Sequence, residues 1–469
     1  MINWGKNNLL IFGAFLGIGT LILITLCILE FDGLYGQDSY EYIRQAQEVK
    51  QALLTLSKPD DFYWAPGYPS ALAIIDLMIG NMTISAQLLS LIIWSSTLFV
   101  SWKALKFIGE IDFISSFLTV LSIVGFSAYF FRVNFTSMSD GLAALFTTLV
   151  FYHVLIQKKH TSSLFWILFF SGLSIITRYA CLPLVIIPIG FSLFQMIRSQ
   201  NWKYLIIGLI TLITLSLFFL YLKDSSPEQI LNQSIVQDWS FSNYFKSAIN
   251  NEQGQLNYDF PNFLFILFPF IHLGFIWICI PVFVIGLILK SRISSPIILI
   301  SLCAYLLFLG GIPFQNKRFL ILVIPGIFMT VLPVILEILE KIKLPKLGLL
   351  LLLMINIGLS AYSFRTFYKI QQEEVYLLNE LTAYNIQELY TFDVDIALKG
   401  RGFSGEIHNL WMEDNLMPEK GNFFLINETR WQEQWANHLL MKNVNAILAS
   451  ENLNLVKSLK QGWQLYKIE

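Results

Sequence analysis

Runs of apolar residues about as long as a bilayer is thick recur along most of this chain. A transmembrane helix needs about 20 such residues to cross the hydrocarbon core. We therefore expect a polytopic α-helical membrane protein. A shorter apolar stretch, 70–80, carries Asp76 and is predicted to pack at the interface or to re-enter the membrane. The eleven predicted spans are 8–29, 84–102, 112–131, 140–157, 162–177, 180–197, 204–222, 263–289, 296–311, 319–339 and 347–364.

Charged residues are scarce and unevenly distributed. They make up 13% of the 469 residues, against roughly 25% in a soluble domain. The net charge of -1 provides no basic excess for a nucleic-acid backbone, so nucleic-acid binding is excluded. The last 104 residues hold 23 of the 63 charges. This contrast predicts a transmembrane domain, 1–365, followed by a smaller C-terminal domain, 366–469.

Short apolar segments and helical patterns alternate in the C-terminal domain, which is typical of a small α/β fold. The predicted strands are 388–398, 422–427, 444–449 and 463–468, and the predicted helices include 431–441 and 453–459.

The distribution of Lys and Arg predicts the orientation of the membrane domain. Cytoplasmic loops are enriched in both residues. With a cytoplasmic N-terminus, the inside loops hold twelve of them and the short outside connections hold four. An odd number of spans then places the C-terminal domain outside, along with two long loops, 30–69 and 223–262. Functional residues are expected on that side.

The first outside loop begins with a polar motif, Gly36–Tyr42 (GQDSYEY), followed by apolar residues at helical spacing. This pattern predicts an amphipathic helix on the outer membrane surface. Asp38 and Glu41 have the spacing of a capping box, which is the structural interpretation of the pair. Asp38 also lies where the headgroup of a lipid-linked substrate would be, and the two roles are compatible. We predict Asp38 as a catalytic acid and Glu41 as a substrate-binding residue.

An aromatic and proline-rich segment follows at Phe62–Pro69. It has two interpretations, an aromatic belt with turn residues or a surface on which a sugar stacks. For the second, the candidate substrate-binding residues are Tyr63, Trp64 and Tyr68.

Four cations lie on the outer side, each at the end of a span. One structural interpretation is that they snorkel or pair with outside acids. The alternative is a cationic pocket for a phosphate or diphosphate. Arg178 is the hardest to explain structurally, because apolar spans flank it on both sides. The four residues are Arg132, Arg178, Lys317 and Arg318.

Asp140 opens the fourth span, in the sequence Met138–Asp140. Ser139 can cap this helix, with Asp140 favourably placed at its positive end. The competing hypothesis is a second catalytic acid that faces Asp38 and holds the acceptor or a divalent ion. The histidines lack metal-ligand spacing, so no cofactor is expected, although the binding of a divalent metal ion stays an open alternative.

In order and in topological side, these motifs resemble the bacterial membrane glycosyltransferases of the GT-C fold, the family 39-like group of protein O-mannosyltransferases and lipid A aminoarabinose transferases. The resemblance covers the membrane domain. The family often has two adjacent acids in the first loop, whereas here Ser39 follows Asp38. The motifs similar to the family's catalytic acid, its proline-rich helix entry, its second outside acid and its late basic motif are Gly36–Tyr42, Trp64–Pro69, Met138–Asp140 and Gln315–Phe319.

The resemblance implies inverting transfer of a sugar from a polyprenyl-phosphate donor to a lipid, glycan or protein acceptor. The reaction would take place on the outer face of the bacterial inner membrane, in cell-envelope glycosylation. Asp38 would be the general base, and the four cations would stabilise the leaving phosphate.

Two other hypotheses stay open. A transporter or flippase of lipid-linked sugars predicts charges near the bilayer midplane, inverted repeats and broken helices. In the third hypothesis the C-terminal domain is the active part, with Asp393, Asp395 and Arg401 as candidates. These residues have no recognised catalytic spacing, so the domain is expected to bind the acceptor or to cover the site.

Overall fold

The computed structural model forms two compact units. The first comprises Met1–Gly33, Gln45–Tyr244 and Asn262–Phe364. The second comprises Leu34–Arg44, Phe245–Pro261 and Arg365–Glu469, so it takes a segment from each of the two long loops predicted to lie outside, as well as the tail. The structure describes residues 6–59, 64–222, 238–251, 254–289, 292–411, 419–436, 439–449 and 453–469.

The first unit is built of helices. In the described part of the chain, seven helical segments are long and apolar enough to cross a membrane, or eight if one bent pair is a single span. Four more apolar helices are shorter, so the count of eleven spans stays a prediction. The helices are α1 Lys6–Ile28, α2 Gly36–Thr55, α3 Gly67–Ile79, α4 Met82–Ile108, α5 Phe113–Val120, α6 Ala128–Asn134, α7 Ser139–Ile156, α8 Ser163–Thr177, α9 Leu182–Arg198, α10 Trp202–Leu222, α11 Asn262–Phe265, α12 Phe268–Ile271, α13 Cys279–Ile288, α14 Pro296–Gly311, α15 Lys317–Ile321, α16 Ile324–Lys341 and α17 Pro345–Thr382. The first residues of α2 and the last of α17 belong to the second unit.

Two of the predicted spans are not straight helices. The segment predicted at 112–131 passes through a π-helical turn, Leu121–Gly125, and then bends by 80° into α6; π-turns are a known cause of such kinks. The segment predicted at 263–289 is divided into α11, α12 and α13. The loop before α13 contains Gly274, at which a Cβ atom would be 2.5 Å from the ring of Tyr129. That close approach requires glycine and fixes α6 against the loop.

The short apolar helix α3 carries a buried charge that is neutralised inside the first unit. Asp76 is 2% exposed. Its Oδ2 lies 2.6 Å from Nζ of Lys50, and its Oδ1 accepts a hydrogen bond of 2.9 Å from Ser85. A buried carboxylate is tolerated only when it is paired in this way.

The second unit contains a five-stranded sheet in the order β4-β3-β5-β7-β6. The first three of these strands are parallel, and β7 is antiparallel to both of its neighbours. The predicted small C-terminal α/β domain is therefore confirmed. Its elements are the antiparallel hairpin β1 Ala248–Asn251 and β2 Gly254–Asn257, the strands β3 Glu388–Thr391, β4 Glu406–Asn409, β5 Phe423–Ile426, β6 Leu453–Ser458 and β7 Gln464–Ile468, and the helices α18 Asp395–Gly400, α19 Glu428–Trp435 and α20 Leu439–Leu448.

Some element types in this unit differ from the prediction. The segment 444–449 lies mostly in α20 rather than in a strand, because Leu440, Val444 and Ile447 are buried at helical spacing. The segment 453–459 is mostly the edge strand β6 rather than a helix, since it pairs along β7. Short apolar runs fit either structure until a partner is known.

Candidate functional site

A fully buried carboxylate, that of Asp140, lies in the first turn of α7. The helix begins at Ser139, and its N-cap residue, Met138, provides no side-chain hydrogen bond. The capping interpretation of Ser139 is therefore wrong. The positive end of a helix favours an anion at this point, but a buried charge also needs direct partners.

Two guanidinium groups provide those partners. Nη1 of Arg178 lies 2.5 Å from Oδ1 of Asp140, and Nε and Nη2 of Arg318 each lie 2.9 Å from Oδ2. We call these three residues the Asp140 cluster. Two cations and one anion give the cluster a formal charge of +1. The buried Nε of Arg178 has no hydrogen-bond partner among the described residues.

Local structure brings the two arginines to Asp140. Arg178 is the first residue after α8 and has an extended backbone, which turns its side chain away from the helix axis. Arg318 lies in the first turn of α15, where Asn316 caps the helix by accepting a 2.9 Å hydrogen bond from the Arg318 amide. The guanidinium of Arg178 also lies 4.8 Å from the ring centroid of Phe319.

A second cationic group surrounds Tyr129, which sequence reasoning missed. The guanidinium carbon of Arg132 lies 4.6 Å, and Nζ of Lys317 5.8 Å, from the Tyr129 ring centroid. Nη1 of Arg132 also donates to Oγ of Ser363, at 3.4 Å, and His272 stacks on Tyr129. We call Tyr129, Arg132, His272 and Lys317 the Tyr129 cluster. No carboxylate lies within 4 Å of Lys317 in the described part of the chain.

The four predicted cations thus form two groups of two. Lys317 and Arg318 are neighbours in α15, yet Lys317 belongs to the Tyr129 cluster and Arg318 to the Asp140 cluster. The only signal for Tyr129 in the sequence was its position three residues before Arg132, which places both on one face of a helix.

The proline-rich segment is positioned beside Arg178. A Cβ atom at Gly67 would lie 2.6 to 2.8 Å from Thr177 and the Ile176 carbonyl, so the start of α3 packs directly on the end of α8. Tyr68 is 1% exposed, so its ring is a packing surface and has no open face for a sugar. Trp64 is partly exposed, and Tyr63 lies outside the described residues.

Asp38 belongs to the second unit and is partly exposed. Helix α2 begins at Gly36, so Asp38 lies inside the first turn and is not the N-cap. The capping-box interpretation is therefore wrong. Glu41 instead accepts hydrogen bonds of 2.8 and 2.6 Å from Arg44, one turn further along the helix.

Two further acids follow strand β3. Burial raises the pKa of Asp393 to about 6, although Arg430, 2.7 Å away, opposes the shift. Burial also raises the pKa of Asp395, which accepts hydrogen bonds from Asn409 and Gln37. Shifts of this kind occur in catalytic sites and in structural ion-pair networks alike.

No group of three or more His, Cys, Asp and Glu side chains is arranged to hold a metal ion in the residues that the structure describes.

The whole chain shares its fold with a membrane glycosyltransferase. ArnT of Cupriavidus metallidurans, a lipid A aminoarabinose transferase solved with bound undecaprenyl phosphate, superposes with a TM-score of 0.56 at 11% identity. The match covers 96% of this chain and 98% of that chain. The apo form of the same protein gives a TM-score of 0.55 at 10% identity, over 96% and 97%. No protein-family model and no curated protein sequence matches the chain. The expected GT-C-like fold is confirmed.

Proposed function

We propose that the protein is a glycosyltransferase that moves a sugar from a polyprenyl-phosphate donor to an acceptor on the outer face of the bacterial inner membrane. The Asp140 cluster carries this proposal. It has a net positive charge and a buried guanidinium N–H for which the described part of the chain offers no acceptor. A buried donor without a partner costs about 1–3 kcal/mol, so a ligand oxygen is the natural acceptor. ArnT, whose fold this chain shares, was solved with undecaprenyl phosphate.

The cations would have different roles in such a reaction. Lys317 and Arg132 supply positive charge beside Tyr129, and in our proposal they contact the donor phosphate. Arg178 would donate its Nε–H, unpartnered among the described residues, to the same group. Asp140, with both oxygens bound to arginines, orients Arg178 and Arg318 rather than reacting with substrate. Negative charge that develops on the leaving phosphate is thereby stabilised by preorganised donors.

Asp38 is the proposed general base. Its carboxylate would accept the proton of the acceptor hydroxyl or amine as that atom bonds to the anomeric carbon. The bond from that carbon to the phosphate oxygen breaks in the same step. A polyprenyl phosphate is stable as an anion, so it leaves without an enzyme acid. A single displacement inverts the anomeric centre, and such a base contributes about 10²–10⁴-fold to the rate. Glu41 and Trp64 are the proposed acceptor contacts.

A flippase is the second candidate, and one observation favours it. The bent pair α5 and α6 and the division of 263–289 into three helices are the broken helices that this hypothesis predicts. The same breaks also position Tyr129 and its cluster, so they fit a phosphate site equally well.

Donor turnover separates the two candidates. Protein in nanodiscs is given a mixed pool of polyprenyl-phosphate hexoses, pentoses and aminopentoses, together with lipid and glycan acceptors. Mass spectrometry then measures the polyprenyl phosphate released. We expect release by the wild type and by the control Glu48→Gln, which removes another acid from α2, but not by Asp38→Asn. No release from any donor, with faster movement of these lipids between the leaflets of proteoliposomes, would support the flippase instead.

A further inference from the structure

The turn that carries Asp38 is held by residues from far along the chain, all within the second unit. Helix α2 begins at Gly36, and the amides of a first helical turn need acceptors. The backbone N–H of Gly36 donates to Oε1 of Glu374 at 2.5 Å. A carboxylate 338 positions away therefore caps this helix, which a local motif could not reveal.

Glu374 also binds the other side of the same turn. Its Oε2 accepts hydrogen bonds from the Tyr40 hydroxyl, at 2.8 Å, and from Nε of Arg401, at 3.1 Å. Glu374 is 2% exposed. It lies ten residues beyond the predicted last span, 347–364. Oε1 of this buried carboxylate is thus hydrogen-bonded to a residue before Asp38, and Oε2 to a residue after it.

Arg401 completes the arrangement. Its Nη2 donates to the carbonyl of Leu34 at 3.3 Å, and its guanidinium lies 5.3 Å from the ring centroid of Tyr40. Tyr40 in turn packs on Gly400, where a Cβ atom would lie 2.3 Å from the ring. One arginine therefore contacts the chain both before and after Asp38.

Two more contacts fix the residues between these points. The side chain of Gln37 donates to Asp395 and accepts a 2.9 Å hydrogen bond from the Ala397 amide. The ring of Tyr35 stacks on Phe367, with centroids 3.7 Å apart. Five of the seven residues from 34 to 40 are thus bound to the C-terminal segment of the second unit.

We propose that Glu374 and Arg401 are positioning residues that hold the carboxylate of Asp38 in its reactive orientation. This inference rests on the proposed function of Asp38. It gives the C-terminal domain a defined role, that of completing the active-site loop. We call Glu374 and Arg401, with their contacts to residues 34–40, the clamp. A displacement of about 1 Å at a reacting group can cost about 10²-fold in rate, so loss of the clamp is expected to lower kcat. Donor binding is expected to persist, because the phosphate contacts lie on other residues.

The clamp can be measured without any activity. A nitroxide is attached to Asp38→Cys after Cys27 and Cys303, the two exposed cysteines, are changed to Ser. Its mobility is compared with that of a nitroxide at Glu48→Cys on the same helix. We expect Arg401→Gln and the milder Tyr40→Phe to increase mobility at position 38 and to leave position 48 unchanged. Unchanged mobility at position 38 in both variants would overturn the clamp.

Kinetics then test the catalytic consequence. With Asp38 in place, Arg401→Gln is expected to lower kcat by about 10²-fold with little change in the donor KM. The matched control is Arg430→Gln, which removes an arginine paired with Glu373, the neighbour of Glu374; it should leave kcat unchanged. Higher mobility with unchanged kcat would overturn the positioning role. A wild type without transfer would instead contradict the proposed function, and the mobility result would still decide whether the clamp exists.

Discussion

Asp38 and Asp140 occupy the same local position, the first turn of a helix, but their surroundings are opposite. Asp140 is completely buried and both of its oxygens are bound to arginines. Asp38 is partly exposed, and its neighbours Gly36 and Tyr40 are hydrogen-bonded to Glu374. The comparison teaches that local position does not define the role of an acid. In our proposal the enclosed carboxylate of Asp140 positions the two arginines, whereas the partly exposed carboxylate of Asp38 exchanges a proton with the substrate.

The largest expected effect is on catalysis. Asp38→Asn should lower donor turnover by about 10²–10⁴-fold, because the amide cannot accept the acceptor's proton. The melting temperature of the detergent-solubilised protein should stay unchanged, since the side chain is partly exposed. Wild-type turnover in this variant would show that Asp38 is not the general base. The proposed difference in role between Asp38 and Asp140 would then be wrong.

The second effect is on stability. Asp140→Asn leaves Arg178 and Arg318 without a counter-ion, and breaking a buried ion pair costs about 3–5 kcal/mol. Thermal denaturation in detergent should show a large fall in melting temperature. Arg318→Gln should cost less, because Arg178 still pairs with Asp140. An unaltered melting temperature in Asp140→Asn would contradict the positioning role and return Asp140 to the list of candidate catalytic acids.

A third acid, Asp393, is partly exposed like Asp38 but paired with an arginine like Asp140. Its effect on stability can be measured as a function of pH. The pKa of Asp393 is raised from 3.8 to about 6, so between these values the folded protein binds more protons there than the unfolded chain. Stability should therefore fall as pH rises through this window. In Asp393→Asn this contribution is absent, and Asn tolerates the φ of 68° found at this position. With the side chain 21% exposed, the variant should gain about 1–3 kcal/mol relative to wild type between pH 4 and 6.

Melting temperatures of both proteins across that pH range test this expectation. Parallel pH profiles would mean that Asp393 does not carry the effect. The Arg430 partner would then dominate over burial, as the two arginines do at Asp140.

The smallest effect separates the two cationic clusters. Lys317→Gln should raise the donor KM roughly tenfold, the loss of one charge-assisted hydrogen bond, without changing the melting temperature. Arg318→Gln should lower the melting temperature as well, because Arg318 also neutralises Asp140. Steady-state kinetics with one purified polyprenyl-phosphate sugar, combined with thermal denaturation, would compare them. Equal effects on stability would show that the clusters are not distinct.

Local sequence patterns anticipated much of the fold and part of the site. The apolar runs and the α/β tail were correctly identified, and the four cations were singled out because they departed from the charge bias of the loops. The sequence did not reveal the breaks near Gly274 and in 112–131, the contacts of Tyr129 and Glu374, or the burial of Tyr68. Each of these depends on a contact between distant segments, which leaves no periodic signal.

The sequence by itself determined that this chain enters a membrane and ends in a small α/β domain, because apolar length and side-chain periodicity are local properties. Only the tertiary structure decided which charges meet. Asp140 pairs with a residue 178 positions away, and the helix that carries Asp38 is capped by one 338 positions away. The physical reason is that the energy of a buried charge depends on its partners and on the exclusion of water, and both exist only after distant segments have packed.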